Sequence, residues 1–296
     1  MPRTVTTIAS GMNFLEGPRW HDGTLYASDM FAKHVLRFAK DGTVETVCDV
    51  PGQPSGLGWD ATGHLLISSM TDRRVLRHAN GRLDVVAALE AEAPGPLNDM
   101  IVDRHGGLYI GNFGSHLDDG EPLRRTHLLR VAPDGRVSRV AEGLVFPNGM
   151  AITPDGGTLL VAETYAFRIS AFGINPDGSL TGRRDWANLG PAPDPTQAPE
   201  ATIQADHPLP DGICLDSEGC LWVADVGGDG ALRVTEGGKI VDKVETPGLA
   251  VYAVVLGGPD LTTLYMCAAP KLGTSDPKVE RRGCLLSCQV DVPGLP

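Results

Sequence analysis

The sequence predicts an all-β fold: a six-bladed β-propeller of four-stranded antiparallel blades, its ring closed by an N-terminal strand. Three observations predict it. A unit of apolar strand, Gly-containing turn and second apolar strand recurs six times, starting at Glu16, Ser55, Asn98, Asn148, Asp211 and Tyr252. These starts lie 39 to 63 residues apart, a period that belongs to propellers when it is made of short strands and turns. The chain carries 37 Gly and 23 Pro in 296 residues, which is the punctuation that many tight turns require.

The elements follow in order. The first unit reads EGPRW, the turn HDG, TLYASD, a link, HVLRFA, the turn KDG and TVETVCDV: four strands, one blade. The second repeats it as SGLGW, DATG, HLLISSM, RRVLRHA, NG and RLDVVAAL, and the fifth as DGICL, DSEG, CLWVADV, ALRVT, EGG and KIVDKVE. Turns such as Pro133–Gly135 and Asn175–Gly178 place Gly where positive φ is needed. The sixth unit supplies VYAVVL, TTLYMCA and GCLLSCQV and then runs out. Its missing outer strand is expected from residues 4–10, TVTTIAS, which would close the ring and cover a sheet edge. Trp20 and Trp59 recur at one repeat position and are expected in the blade core. No long amphipathic helix is expected, and residues 1–296 read as one domain.

In such a meander, the second-to-third and blade-to-blade loops share the face on which each first strand starts. The long segments fall there: Gly114–Thr126, Gly190–Pro210 and Pro270–Arg282. Loops of this length are usually functional or disordered, and the Pro-rich GPAPDPTQAPE reads as either a lid or a spacer.

Composition excludes several partners. The formal charge of −12 repels phosphate backbones and anionic lipid, so neither nucleic acid nor membrane is expected. No apolar run reaches the length of a membrane span, and the first residues lack the apolar core of a secretion signal. The six cysteines are scattered without CxxC spacing and read as buried thiols in a reducing, cytoplasmic setting.

The six unit starts carry the chemistry. They are two carboxylates (Glu16, Asp211), two carboxamides (Asn98, Asn148), a hydroxyl (Ser55) and a phenol (Tyr252). A closed ring brings them to one axis. An all-oxygen set with two charges suits a hard divalent cation, Ca²⁺ first, then Mg²⁺ or Mn²⁺. The lack of His or Cys at this position disfavours Zn²⁺ while leaving it possible. The competing reading is turn chemistry, since Asn or Asp before Gly is common in turns. Nucleophilic catalysis has little support: there is no GxSxG elbow, and no His is spaced to pair with Ser or Cys.

At these residues the sequence resembles a known family. The segments LEGPRW, LNDMIVD, GNFG, FPNGMAITPDG, VAETYAFRI and PDGICLDSEGCLWVAD are similar to the senescence marker protein / gluconolactonase / luciferin-regenerating enzyme family. The resemblance runs from about Leu15 to Tyr265. It implies a six-bladed propeller with a divalent cation in the central channel and a lactone-hydrolysing activity. It implies Glu16, Asn148 and Asp211 as metal ligands, with Asp211 also the general base. Asn98 is implied as a contact to substrate or to the metal. One position departs: sugar-lactone hydrolases of the family often carry Arg two residues before this Asn, where this chain has Pro96. Selectivity is then expected from Asn112, His116 or Glu163 at the second-strand ends, with Ser55 and Tyr252 lining the channel. His116–Glu121 reads as a solvated loop rather than a metal cluster.

The expected activity is divalent-metal-dependent hydrolysis of a lactone or related small ester. Two alternatives remain: a propeller binding module without chemistry, and a metal-dependent propeller acting on another class, by phosphotriester hydrolysis or amine–aldehyde condensation.

Overall fold

A computed structural model describes residues 3–39, 42–191 and 206–295. They form six four-stranded antiparallel sheets. The innermost strands of blades I to VI are Leu15–His21, Pro54–Trp59, Leu97–Val102, Pro147–Ile152, Pro210–Leu215 and Ala250–Gly257. Each packs against the inner strands of both neighbouring blades, so the ring is closed. Blades I to V are meanders in chain order, whereas blade VI takes its outer strand from the N-terminus.

That closing strand is Val5–Met12, paired antiparallel with Gly283–Gln289 from Val5↔Cys288 to Met12↔Gly283. Arg3 anchors it: the guanidinium donates to the Gln289 carbonyl and pairs with Asp242 and Asp291, each at 2.7 Å. Pairing its first and last strands leaves the ring without a seam of unpaired backbone.

The core lies between blades. Six apolar clusters fill the six blade interfaces, for example Trp186, Ile213 and Val223 between IV and V, and Trp222, Met266 and Leu286 between V and VI. A seventh cluster belongs to no interface and sits on the long-loop face. The two tryptophans expected in the core stand half-buried at the far ends of their inner strands. There Trp20 stacks on Tyr265 and Trp59 on His21. Each belongs to the last residues of a strand where the neighbouring blades diverge, so burial is incomplete.

The segment Gly190–Pro210, read as lid or spacer, falls mostly outside the described residues. The segment after Asn112 folds back through a 3₁₀ turn at Leu117–Asp119 before the third strand begins at Arg125. Among the described residues no helix is long and apolar enough to cross a membrane.

Candidate metal centre

Every inner strand is bulged at its ring residue. Register breaks fall between Glu16 and Arg19, Pro54 and Leu57, Leu97 and Met100, Pro147 and Met150, Pro210 and Ile213, and Val251 and Ala253. A bulge re-aims a side chain and raises local twist. These residues are therefore strand residues inside the ring, which removes the turn-chemistry reading. The glycine that follows four of the ring residues, at 17, 56, 149 and 212, has another cause. A Cβ on Gly149 would lie 2.6 Å from the Asp211 carbonyl oxygen and 2.7 Å from Gly212 Cα. Backbone meets backbone there, so only glycine lets neighbouring inner strands close to this distance.

Four oxygen-bearing side chains come together at the channel. Asn98, Asn148 and Asp211 are buried, and Glu16 keeps part of its surface open. Burial, and after it the charges of Asp211 and Asp99, raise the Glu16 pKa well above the carboxylate range. Burial and Asp99 do the same to Asp211. Such a set is unsettled alone: like charges out of water either take up a proton or require a cation. Among the described residues Asp211 Oδ1 is buried without a hydrogen-bond partner, and Glu16 Oε2 accepts from the next residue's N–H, Gly17, at 3.1 Å.

The amides are oriented by what surrounds them. Asn98 Nδ2 donates to the Pro147 carbonyl at 3.1 Å. A carbonyl only accepts, so the amide nitrogen must face it, which leaves the Asn98 oxygen for another partner. Asn148 Nδ2 donates to Thr164 Oγ1 at 3.2 Å. Orphaned Asp211 Oδ1, an available Asn98 oxygen and two raised carboxylates fit a hard divalent cation. Among the described residues no three His, Cys, Asp or Glu side chains form a ligand cluster by themselves. The amides are thus needed to complete any such site.

Two residues of this centre stand outside the six unit starts. Asp99 accepts from its neighbour Met100 N at 2.8 Å and from Arg19 at 2.6 Å. Arg19 also donates to the Met100 carbonyl at 2.7 Å and lowers the proton affinity of Glu16. It lines two cavities on the opposite face, of about 720 and 420 Å³, and so stands where the ring ends and those cavities begin.

The expected selectivity residues divide. Asn112 is corrected to a structural role. It is fully buried, its Nδ2 donates to the His127 carbonyl, and its Oδ1 accepts from Gly114 N and Thr126 Oγ1. Glu163 is corrected likewise. Its buried carboxylate accepts from Val145 N, Ser170, Arg168 and Arg183, and no oxygen is left for a substrate. Burial pushes its pKa up, but the hydrogen bonds and charges of Arg168, Ser170 and Arg183 hold it below the ordinary value. Asp29 and Asp225 end their second strands in the same way, accepting from Phe14 N and Leu209 N. In these three blades the position is a clasp that ties the second strand to the segment entering its own blade.

Tyr252 lies near Glu16 and Asp211, and burial followed by their charges raises its pKa. Its hydroxyl donates to the Pro270 carbonyl at 2.8 Å, so the phenol offers the channel its ring. Ser55 is buried, and its backbone carbonyl accepts from Ser28 Oγ at 2.7 Å. His116 is half-exposed on the 3₁₀ loop, where its N–H donates to Glu121. This is the solvated loop expected of the segment.

The family model for the SMP-30/gluconolactonase/LRE-like region matches residues 14–270. The chain belongs to that family. A pentonolactonase from Haloferax volcanii is 28% identical over 277 residues, covering 90% of this chain and 85% of its own length. The structure of a gluconolactonase from Xanthomonas campestris superposes with a TM-score of 0.74 at 27% identity, over 98% of this chain and 89% of that one. A calcium-binding regucalcin from Agrobacterium tumefaciens shares the fold, with a TM-score of 0.79 at 22% identity over 100% and 96% of the two chains. Relatives with named activities include lactone hydrolases, and the propeller is shared with them.

Proposed function

We propose that this chain is a divalent-cation-dependent hydrolase of a lactone or related small ester, working at the Glu16, Asn98, Asn148 and Asp211 ring. The observation that carries the reading is Asp211 Oδ1, buried and unpartnered beside a second raised carboxylate, in a lactonase family. Glu16, Asn148, Asp211 and Asn98 would hold the cation, with Ca²⁺ the best match to an all-oxygen set and Mg²⁺, Mn²⁺ or Zn²⁺ the alternatives. When bound, it supplies Lewis acidity at the ester carbonyl and acidifies water.

The chain's own residues do the rest. Water adds to the acyl carbon, the ring C–O bond breaks, and the ring oxygen takes up a proton to leave a hydroxy acid. Asp211 accepts the proton of the attacking water, which asks for one carboxylate oxygen within reach. Asn98, held through its nitrogen on Pro147, steadies the carbonyl end of the substrate. Tyr252 and Ser55 line the channel. Exhaustive chelation followed by assay on a lactone panel tests this. Turnover should vanish and return with added Ca²⁺, whereas full activity after complete cation removal would defeat the proposal.

A further inference from the structure

Six of the apolar clusters fill blade interfaces, but the seventh does not. It gathers side chains from the loops around the ring. On one side Phe14 packs against Phe31 at 5.9 Å and against Tyr252 at 4.4 Å, in blades I and VI. On the other, Phe146 packs against Phe113 at 4.5 Å and Tyr165 at 4.9 Å, in blades III and IV. In a six-membered ring these blade pairs are diametrically opposed. Two aromatic walls thus face each other across the carboxylates. Phe31 and Phe113 are only half-buried, with Lys278 Nζ 5.9 Å over the Phe31 ring, so each wall keeps part of an outer ring open.

The turns that carry them recur from blade to blade, but the aromatics do not. Phe146 has a left-handed backbone, φ 53°, as does Gln53 at the matching position of blade II, φ 66°. Phe167, φ 51°, likewise matches Lys33 and Arg73. A bulky residue is uncommon in that region, and polar side chains serve the same turn elsewhere in this chain. Meanwhile the polar groups that would grip a polyol are missing or occupied. Pro96 has no side-chain donor, and its carbonyl is held by Phe113 N at 2.9 Å. Asn112 and Glu163 are fully engaged.

We propose that the site takes lactones bearing an apolar substituent, held between the Phe14/Phe31/Tyr252 and Phe113/Phe146/Tyr165 walls, in preference to polyhydroxylated sugar lactones. This rests on the lactonase reading. A polyol would leave its hydroxyls desolvated against phenyl rings, which costs affinity, whereas each buried methylene gains roughly fourfold.

The test is kcat/KM of the Ca²⁺-loaded protein on three six-membered lactones: the unsubstituted ring, the ring with a five-carbon tail, and glucono-δ-lactone. The tailed lactone should exceed the unsubstituted one by roughly 15- to 60-fold, from two or three buried methylenes, and should exceed the sugar lactone by more. Phe31→Ala and Phe113→Ala, at two half-buried positions, should each lower the tailed-to-untailed ratio at least threefold. A purely structural wall would lower stability and leave that ratio unmoved, which would overturn the inference. Turnover of the sugar lactone equal to or above that of the tailed one would overturn it too, with the lactonase reading intact. Hydrolysis of none of the three would sink both.

Discussion

Replacing Asp211 with Asn removes one of two carboxylates that share a buried ring and leaves the shape nearly unchanged. The ionised side chain carries a buried oxygen without a partner, and burial and Asp99 work against its charge. The amide keeps a buried acceptor oxygen but sheds the charge, and a charged unsatisfied acceptor is the costlier of the two by about 1–3 kcal/mol. Without a cation, Asp211→Asn should therefore stabilise the fold by about 1–3 kcal/mol. For 296 residues, the unfolding entropy is about 0.6 kcal/mol/K. The expected rise in Tm is then about 2–5 °C in chelator. The wild-type protein should behave in the opposite way. Ca²⁺ at a hundred times its Kd adds about 2.7 kcal/mol, or about 4 °C, and the variant should lose most of that increment. Differential scanning calorimetry of both proteins, with chelator and across a Ca²⁺ titration, reads all four states. A variant that melts lower in chelator and keeps the full Ca²⁺ increment would show that Asp211 is neither strained by its charge nor a ligand.

Four further outcomes are expected. Glu163→Gln removes the acceptor of Arg168, Arg183 and Ser170 and should cost about 3–5 kcal/mol, measured by chemical denaturation. Because the folded Glu163 pKa lies below its ordinary 4.5, its carboxylate contributes full stability above that pH and loses it as pH falls below; the wild-type minus variant difference should shrink in acid and stay flat from pH 6 to 8. Gly149→Ala forces a Cβ against the Asp211 carbonyl, 2.6 Å away, and should cost at least about 1–3 kcal/mol while shifting the Ca²⁺ midpoint; calorimetry showing neither change would contradict the close approach. Arg19→Met strips the cationic partner of Asp99, 2.6 Å away, and should tighten Ca²⁺ binding by about tenfold, or 1.4 kcal/mol, in isothermal titration, with weaker binding the refuting result. Burial, aided by Asp49 and offset little elsewhere, pushes the Cys48 thiol up to about 12, and burial pushes Cys214 up to about 12, so neutral maleimide should label the folded protein far more slowly than the unfolded chain.

Blade count, strand number and the origin of the closing strand were all legible, because each rests on period-2 alternation and on turn residues that leave local marks. Even the closing strand was located to within two residues, since a chain that ends one strand short must borrow it. The tryptophans pack against the blade-interface cores as expected, yet only half-buried, for a reason of the same kind. Recurrence at one repeat position shows equivalence, and Trp20 and Trp59 are equivalent, but only three-dimensional packing tells whether that position lies between blades or at the rim where they part.

The site shows where alternation fails as a guide. With strict alternation, Glu16 and Arg19 face opposite sides of their strand, so nothing in the sequence joins Arg19 to the ring. The bulge between them inserts an extra residue and returns the guanidinium to the channel, where it meets Asp99 from blade III. The same device lets Asn98 and Asp99 both serve one centre although they are sequence neighbours. Asn112 and Glu163 err in the other direction. A polar residue at a strand end beside an active face looks available, yet its hydrogen-bond capacity can be spent on backbone, hydroxyl and arginine partners as far as 20 positions away. Residue type and repeat position therefore locate an oxygen, and only the accounting of its partners tells whether that oxygen is free. By that measure Asp211, with one oxygen unclaimed, is the ring residue best placed to meet a cation or a water, and on the lactonase proposal the aromatic walls above it would decide what it acts upon.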